Sequence, residues 1–220
     1  MKITEIKFFV ISIVLYFNLS LFSKEQQPKE LFNNEIKRKA IKFKNEIYFN
    51  KAHQFFLKKN WDSTLVYSMK QLSYTTHNIE ANDYCHYFRA YSFKQKKLLK
   101  EAKNEFKKVS NRFHFYYKVK INLGEIELEL RNFSKAISYF QQIEKLKDDP
   151  EFEFKRSNLS HNLGLCYLHL NKFDNAEKYL FKSAELQQLE KDTILLIGSY
   201  MDIANLYYLQ YKDHQAIPYF

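Results

Sequence analysis

The stretch Asn162–Leu180, NLGLCYLHLNKFDNAEKYL, decides the fold of this chain. It places two small residues, Gly164 and Ala176, twelve positions apart, and a large apolar residue, Leu180, four positions further on. Residues four apart share one face of a helix, so Ala176 and Leu180 would face the same neighbour. A small residue on each helix of a pair allows close approach. The stretch therefore predicts a hairpin of two packed helices.

The same spacing recurs along the chain and defines five units. Their first small residues are separated by 38, 34, 40 and 40 positions. In four units a large apolar residue follows the second small residue by four positions, whereas the first unit has Ser68 there. The small pairs are Ala52–Thr64, Ala90–Ala102, Gly124–Ala136, Gly164–Ala176 and Ala204–Ala216, and the large residues are Phe106, Phe140, Leu180 and Phe220.

Short polar turns separate the two helices of a unit. In three units an aromatic residue lies three positions before the second small residue, and Leu99 takes this place in the second unit. The residue after each aromatic is one that favours helix N-caps. We therefore expect the second helices to be capped by Asp62, Ser134 and Asp174.

The composition excludes a sheet protein. Only 3 Gly and 3 Pro occur in 220 residues, too few for the turns that a β fold needs. The net charge is +10, but it comes almost wholly from scattered lysines rather than from the arginine clusters typical of nucleic-acid readout. The sequence thus favours a solvated helical surface and predicts no nucleic-acid partner.

These repeated residues resemble the tetratricopeptide repeat family, most closely at Leu163-Gly164-x-x-Tyr167 followed by Ala176 and Leu180. Leu180 departs from the family pattern, which has an aromatic residue there. The resemblance covers residues 45–220 and implies an all-α, right-handed superhelical solenoid of antiparallel helix pairs, with about five repeats and the last one incomplete. Residues 24–44 are predicted to form a linker and a capping helix over Leu31–Phe43.

The N-terminus predicts export. Lys2 and Lys7 precede an apolar run from Phe8 to Phe22, and a small residue, Ser23, follows at a cleavage position. The run is shorter than the roughly 20 residues that span a bilayer as a helix. We therefore expect residues 1–23 to be a signal peptide, with an uncleaved membrane anchor as the alternative. The protein would be periplasmic or membrane-tethered.

The resemblance implies that the first helix of each unit lines a concave, partner-binding groove. The partner is expected to be a protein or peptide, and the membrane is reached only through the N-terminal segment or a further anchor. The groove residues so predicted are Phe49, His53, Phe56, Tyr84, Tyr87, Tyr91, Lys94, Glu125, Glu129, Asn158, His161, His169, Met201, Asn205 and Tyr208.

A stripe of three tyrosines, Tyr84, Tyr87 and Tyr91, has two open interpretations. Tyrosine buries a large area and keeps a polar tip, so the stripe suits an anchor for a peptide, together with Phe49 and Tyr208. The other interpretation is that the rings pack against the neighbouring unit. The carboxylate clamp found in some members of the family is not predicted, because aromatic and imidazole side chains occupy its positions.

No catalytic, cofactor or metal motif is recognised in the sequence. Phosphate-binding glycine loops and the zinc and serine-hydrolase signatures are missing. His161 and His169 are eight residues apart on one helix, roughly 12 Å, which is too far for one ion. We predict no enzyme, no cofactor and no metal, and we interpret Cys85 and Cys166 as buried small residues.

Two functions remain open. The first is an exported protein-binding scaffold. The second is the periplasmic sensor region of a membrane-bound histidine kinase or transcriptional regulator, whose repeat regions the segment Ser199–Tyr208 resembles. The apolar residues Ile217, Tyr219 and Phe220 have no following helix to cover them, so we expect a longer polypeptide, with self-association through this end as the alternative. If the chain is the sensor region, its output domain lies beyond residue 220.

Overall fold

The chain folds into helices joined by tight turns. A computed structural model describes residues 30–74, 78–145 and 156–220, and no strand occurs within these ranges. The all-α fold of paired helices is thereby confirmed, whereas the predicted signal segment lies outside the described residues. The helices are α1 (Glu30–Lys42), α2 (Ile47–Leu57), α3 (Trp61–Ser73), α4 (Ile79–Gln95), α5 (Leu99–Phe106), α6 (Tyr116–Glu129), α7 (Phe133–Glu144), α8 (Arg156–His169), α9 (Phe173–Leu189), α10 (Thr193–Leu209) and α11 (Asp213–Ala216), followed by a 3-10 turn (Ile217–Tyr219).

The helices form two compact units. The N-terminal unit lies within Pro28–Glu153 and holds α1–α7, and the C-terminal unit lies within Phe154–Phe220 and holds α8–α11. The predicted capping helix is α1. Among the described residues, none of the helices combines the length and the apolar character needed to cross a bilayer.

The paired small residues lie where the two helices of a unit touch. All ten are buried. A Cβ atom added to Gly124 would lie 2.5 Å from Cε1 of Phe140, and one added to Gly164 would lie 2.8 Å from Cγ of Leu180. The large residue thus occupies the space that a side chain on the glycine would need. The twelve-residue offset in the sequence therefore reflects the close contact between the two helices of a unit.

Six helices end in the same turn. The residue after each helix's C-cap has a positive φ between 54° and 61°, and none of the three glycines does. In each turn the next backbone N–H donates to the carbonyl five residues earlier, at 2.8 to 3.0 Å. This is the Schellman arrangement, which satisfies the free carbonyls at a helix end. The six residues are Lys59, Lys97, Arg131, Asn171, Lys191 and Tyr211.

This turn corrects the predicted N-caps. Because the turn is so short, the second helices begin at the aromatic residues themselves. Asp62, Ser134 and Asp174 therefore lie inside the first helical turn, and the cap position falls two residues earlier. Of these earlier residues, Asn60 uses its side chain as a cap, accepting a hydrogen bond from the backbone of Ser63 at 3.0 Å.

Lysine in a left-handed conformation gives a matched test of this turn. A non-glycine residue at positive φ costs about 1 kcal/mol. Lys59→Gly should therefore stabilise the N-terminal unit by about 0.5–1 kcal/mol. The neighbouring Lys58 has φ −81°, so Lys58→Gly should lower stability. Urea unfolding of both variants checks the opposite signs, and two shifts of the same sign would contradict this account of the turn.

A double-mutant cycle tests the contact between small and large residues. Gly124→Ala should cost about 1–3 kcal/mol, because the new methyl group overlaps the Phe140 ring. In a Phe140→Ala background the overlapping side-chain atoms are gone, so the same substitution should cost at least about 1 kcal/mol less. Additive free energies of unfolding would show that the ring does not set the requirement for glycine.

Candidate functional site

The predicted partner-binding residues of the N-terminal unit lie on α2, α4 and α6, the first helices of its three repeats. We call the side of these helices that carries them the first-helix face. Five of them are buried, with exposures of 6% or less. Tyr91, Lys94, Glu125 and Glu129 remain half-buried. The five buried residues are Phe49, His53, Phe56, Tyr84 and Tyr87.

Helix α1 and the residue that follows it cover three of these five side chains. The Phe32 ring packs against Phe56 of α2, Tyr87 of α4 and Phe115 at the start of α6, with centroid distances of 6.5, 5.2 and 4.7 Å. At the other end of α1, the ring of Phe43 lies 5.4 Å from Phe49. Phe56 and Tyr87 therefore contact α1, and Phe49 contacts Phe43 directly after it, instead of facing solvent.

Of the two interpretations of the tyrosine stripe, packing within the helix stack holds for Tyr84 and Tyr87, which are both buried. The Tyr84 ring packs edge-on to Phe113 at 4.9 Å, and burial, followed by the charges of Glu35 and Glu80, raises the pKa of its hydroxyl. Burial also raises the pKa of Tyr87. Only Tyr91 keeps part of its ring exposed, between Phe56 and Trp61 at 5.4 and 5.8 Å.

His53 is enclosed in the same aromatic layer. Its ring lies parallel to those of Phe49 and Phe88, at 6.4 and 6.5 Å. Burial, reinforced by the charge of Lys37, lowers its pKa to about 4. The imidazole is therefore neutral at physiological pH and serves as a core ring, not as a charged contact.

Charged residues line the edge of the first-helix face. Lys94 of α4 pairs with Glu125 of α6 and donates to the side chain of Asn122 at 2.9 Å. Lys97 and Glu129 form a second pair at 3.2 Å. The structure therefore brings Lys94, Glu125 and Glu129 together, as ion pairs that link adjacent first helices.

In the C-terminal unit, α8 and α10 carry the remaining predicted residues. His161 Nε2 lies 2.7 Å from Asp202 Oδ2, so the histidine binds the next first helix. Asn158 is half-buried and His169 is exposed. Asp202 is 1% exposed, and the sequence did not predict its role as the partner of His161. An acidic residue about one repeat length after a groove histidine was the available signal.

One side of α10 is apolar and open. Ile194 and Ile197 are 52% and 53% exposed, and Met201, Asn205 and Tyr208 are half-buried on the same helical face. We call these five residues the α10 stripe. The sequence analysis identified the last three but missed the two isoleucines, because the repeat places them before the first groove position.

A buried carboxylate in the N-terminal unit was also missed. Glu105 interacts with Nδ1 of His86 and Nζ of Lys108, both at 2.8 Å, and with Nε of Arg89 at 3.3 Å. Burial alone would raise the pKa of Glu105, but these cationic and hydrogen-bonding partners lower it to about 2. The cluster joins α4 to α5, and such charge pairing makes a buried carboxylate tolerable.

The two cysteines and the potential metal ligands were considered as reactive groups within the described ranges. Cys85 and Cys166 are buried free thiols, and burial raises the pKa of both, that of Cys166 to about 12. Such thiols are poor nucleophiles. No group of three or more His, Cys, Asp or Glu side chains able to hold a metal ion occurs among the residues that the structure describes.

Comparison with solved structures gives the same fold at low sequence identity. MamA is 18% identical, with a TM-score of 0.60 over 79% of this chain and 86% of its own. BtubC from P. vanneervenii is 15% identical, with a TM-score of 0.64 over 85% and 83%. A Podosopora anserina kinesin light chain with nearly identical TPR-like repeats is 11% identical, with a TM-score of 0.59 over 78% and 89%.

Sequence comparison identifies the repeats themselves. Comparison with curated proteins gives no match. The tetratricopeptide repeat model matches residues 117–150 and 158–188, which cover most of the pairs α6–α7 and α8–α9. The other helix pairs bury small residues at the same offset and end in the same turn. Residues 117–150 and 158–188 therefore carry tetratricopeptide repeats, which form protein-interaction scaffolds, and the other helix pairs share the fold and the sequence pattern of these two.

Proposed function

We propose that this chain is the binding region of an exported scaffold that holds a protein or peptide partner on the first helices of its C-terminal unit. The observation that carries the proposal is the α10 stripe. Isolated exposed apolar residues are common on proteins, whereas a contiguous apolar surface with polar neighbours marks an interaction site.

The α10 stripe has the chemistry of such a site. Ile194 and Ile197 offer aliphatic surface, Met201 adapts to irregular partners, and Asn205 and Tyr208 add polar groups for orientation. His161 on α8 is held by the buried Asp202, which fixes its ring beside α10. An extended segment or a helix with an apolar side is the partner class that this arrangement suits. Catalysis is not part of the proposal.

Site-directed photocrosslinking tests the proposed surface. A photoreactive residue at Ile197 should crosslink a partner from envelope extract, and Ile197→Asp should reduce capture of that partner at least tenfold, roughly the effect of losing one interface anchor. The matched control is Tyr211, which is 90% exposed but lies in the turn after α10. Equal crosslinking from both positions would contradict a site on the α10 stripe.

Export is the second element of the proposal and is supported by the charged start and apolar run of residues 1–23. Secretion of the full chain in a bacterial host should give a mature protein that begins at Lys24. N-terminal sequencing and intact mass measure this directly. Replacing Leu15 by Arg within the apolar run should abolish processing, whereas Lys24→Gln should not. A cytoplasmic, unprocessed wild-type protein would refute export.

A sensor region of a membrane-bound signalling protein is the second candidate. It is supported by the resemblance of Ser199–Tyr208 to periplasmic repeat regions of such proteins. A kinase or DNA-binding domain encoded downstream in the same reading frame would favour this candidate over a free scaffold.

A further inference from the structure

Helix α1 lies outside the repeat pattern but covers the first-helix face of the N-terminal unit. Its inward residues are Phe32, Ile36 and Lys39, and Phe43 follows directly after the helix, at spacings of four, three and four. That spacing follows one face of a helix. The opposite side is solvent-exposed, with Ile41 at 77%. Helix α1 is therefore an amphipathic helix docked on one side only.

Aromatic rings hold the start of α1. Phe32 is 1% exposed and sits among Phe56, Tyr87 and Phe115, which come from three successive repeats. The ammonium group of Lys118 lies 5.4 Å from the centre of the Phe32 ring, within cation–π range. A single side chain thus fills a pocket that three repeats build together, as an anchor residue does at an interface.

Ion pairs hold the end of α1. Nζ of Lys39 lies 2.5 Å from one carboxylate oxygen of Glu80, and Nζ of Lys42 lies 2.9 Å from the other. Glu80 belongs to the first turn of α4. The docked helix therefore combines an aromatic residue, an aliphatic residue four positions later, and lysines seven and ten positions after the aromatic residue.

We propose that α1 is an internal ligand of the first-helix face, and that a partner helix with the same pattern of aromatic, aliphatic and basic residues displaces it. The contacts described above between α1 and α4 or α6 are made by side chains, and the turn to α2 exposes Lys44 and Asn45. This site is distinct from the α10 stripe, and its test does not depend on the function proposed above.

A peptide-binding assay on the full chain tests the proposal. The probe is a fluorescein-labelled peptide of residues 30–44, and binding is followed by fluorescence polarisation. The tethered α1 competes at an effective concentration on the order of millimolar, which weakens apparent binding of the peptide. Phe32→Ala in the chain should release α1 and improve peptide affinity at least tenfold. The matched control, Ile41→Ala on the exposed side, should behave as wild type.

A second variant guards against misfolding of the first. Lys39→Glu with Lys42→Glu places like charges against Glu80 while leaving the apolar contacts intact, and it should also improve peptide affinity. Helix content by circular dichroism confirms folding of each variant. A peptide carrying Phe32→Ala should bind at least tenfold more weakly than the natural peptide.

The outcomes decide between a ligand and a fixed part of the core. Faster amide hydrogen exchange in α1 than in α4, together with the affinity gains, supports an internal ligand. Equal peptide affinity for wild type and both α1 variants, or no binding to any, would show that α1 is permanent core and would overturn the proposal. A wild-type dimer that Phe32→Ala abolishes would show exchange of α1 between two copies and would overturn displacement by a separate partner.

Discussion

The close approach of two helices at paired small residues is the constraint on which the structure depends. Gly124 and Gly164 leave no room for a Cβ atom because Phe140 and Leu180 fill the space above them. Leu180 also brings its backbone nitrogen to 3.1 Å of the position that a Cβ on Gly164 would take. Because the helices of a unit are this close, the turn between them is short. The second helices therefore begin already at the aromatic residues.

This constraint explains what the sequence could predict. Small residues that are buried in pairs in all five units leave a repeated spacing, so the helix pairs could be predicted without a structure. The turn could not be predicted, because none of its six left-handed residues is glycine and three are lysines, a residue type with no preference for that conformation. The N-caps were consequently placed two residues too late. The residue preference for N-caps favoured Asp62, but the helix begins earlier, so Asn60 is the N-cap and accepts a hydrogen bond from the backbone of Ser63.

The candidate sites were only partly predictable for a related reason. The amphipathic spacing in α1 shows that one side is buried, but periodicity cannot say against what. Phe32 meets Phe115 across 83 residues of sequence, a pairing that no local pattern encodes. The predicted groove positions on α2 and α4 were therefore correctly assigned to one face, and wrongly assumed to be open. On α10 the predicted groove residues Met201, Asn205 and Tyr208 are half-buried, so part of each side chain is accessible as predicted.

The two units thus use equivalent helical faces under different physical conditions. In the N-terminal unit the face is aromatic, and its burial keeps His53 neutral, since an uncharged ring is the form that such surroundings tolerate. In the C-terminal unit the face is aliphatic and open, and the charge of Asp202 is buried beneath it with His161 as partner. Aromatic surface left in water would favour aggregation, so the aromatic face needs a cover. On the aliphatic face Ile194 and Ile197 are about half exposed, so the α10 stripe could meet a partner without the rearrangement that the covered aromatic face requires.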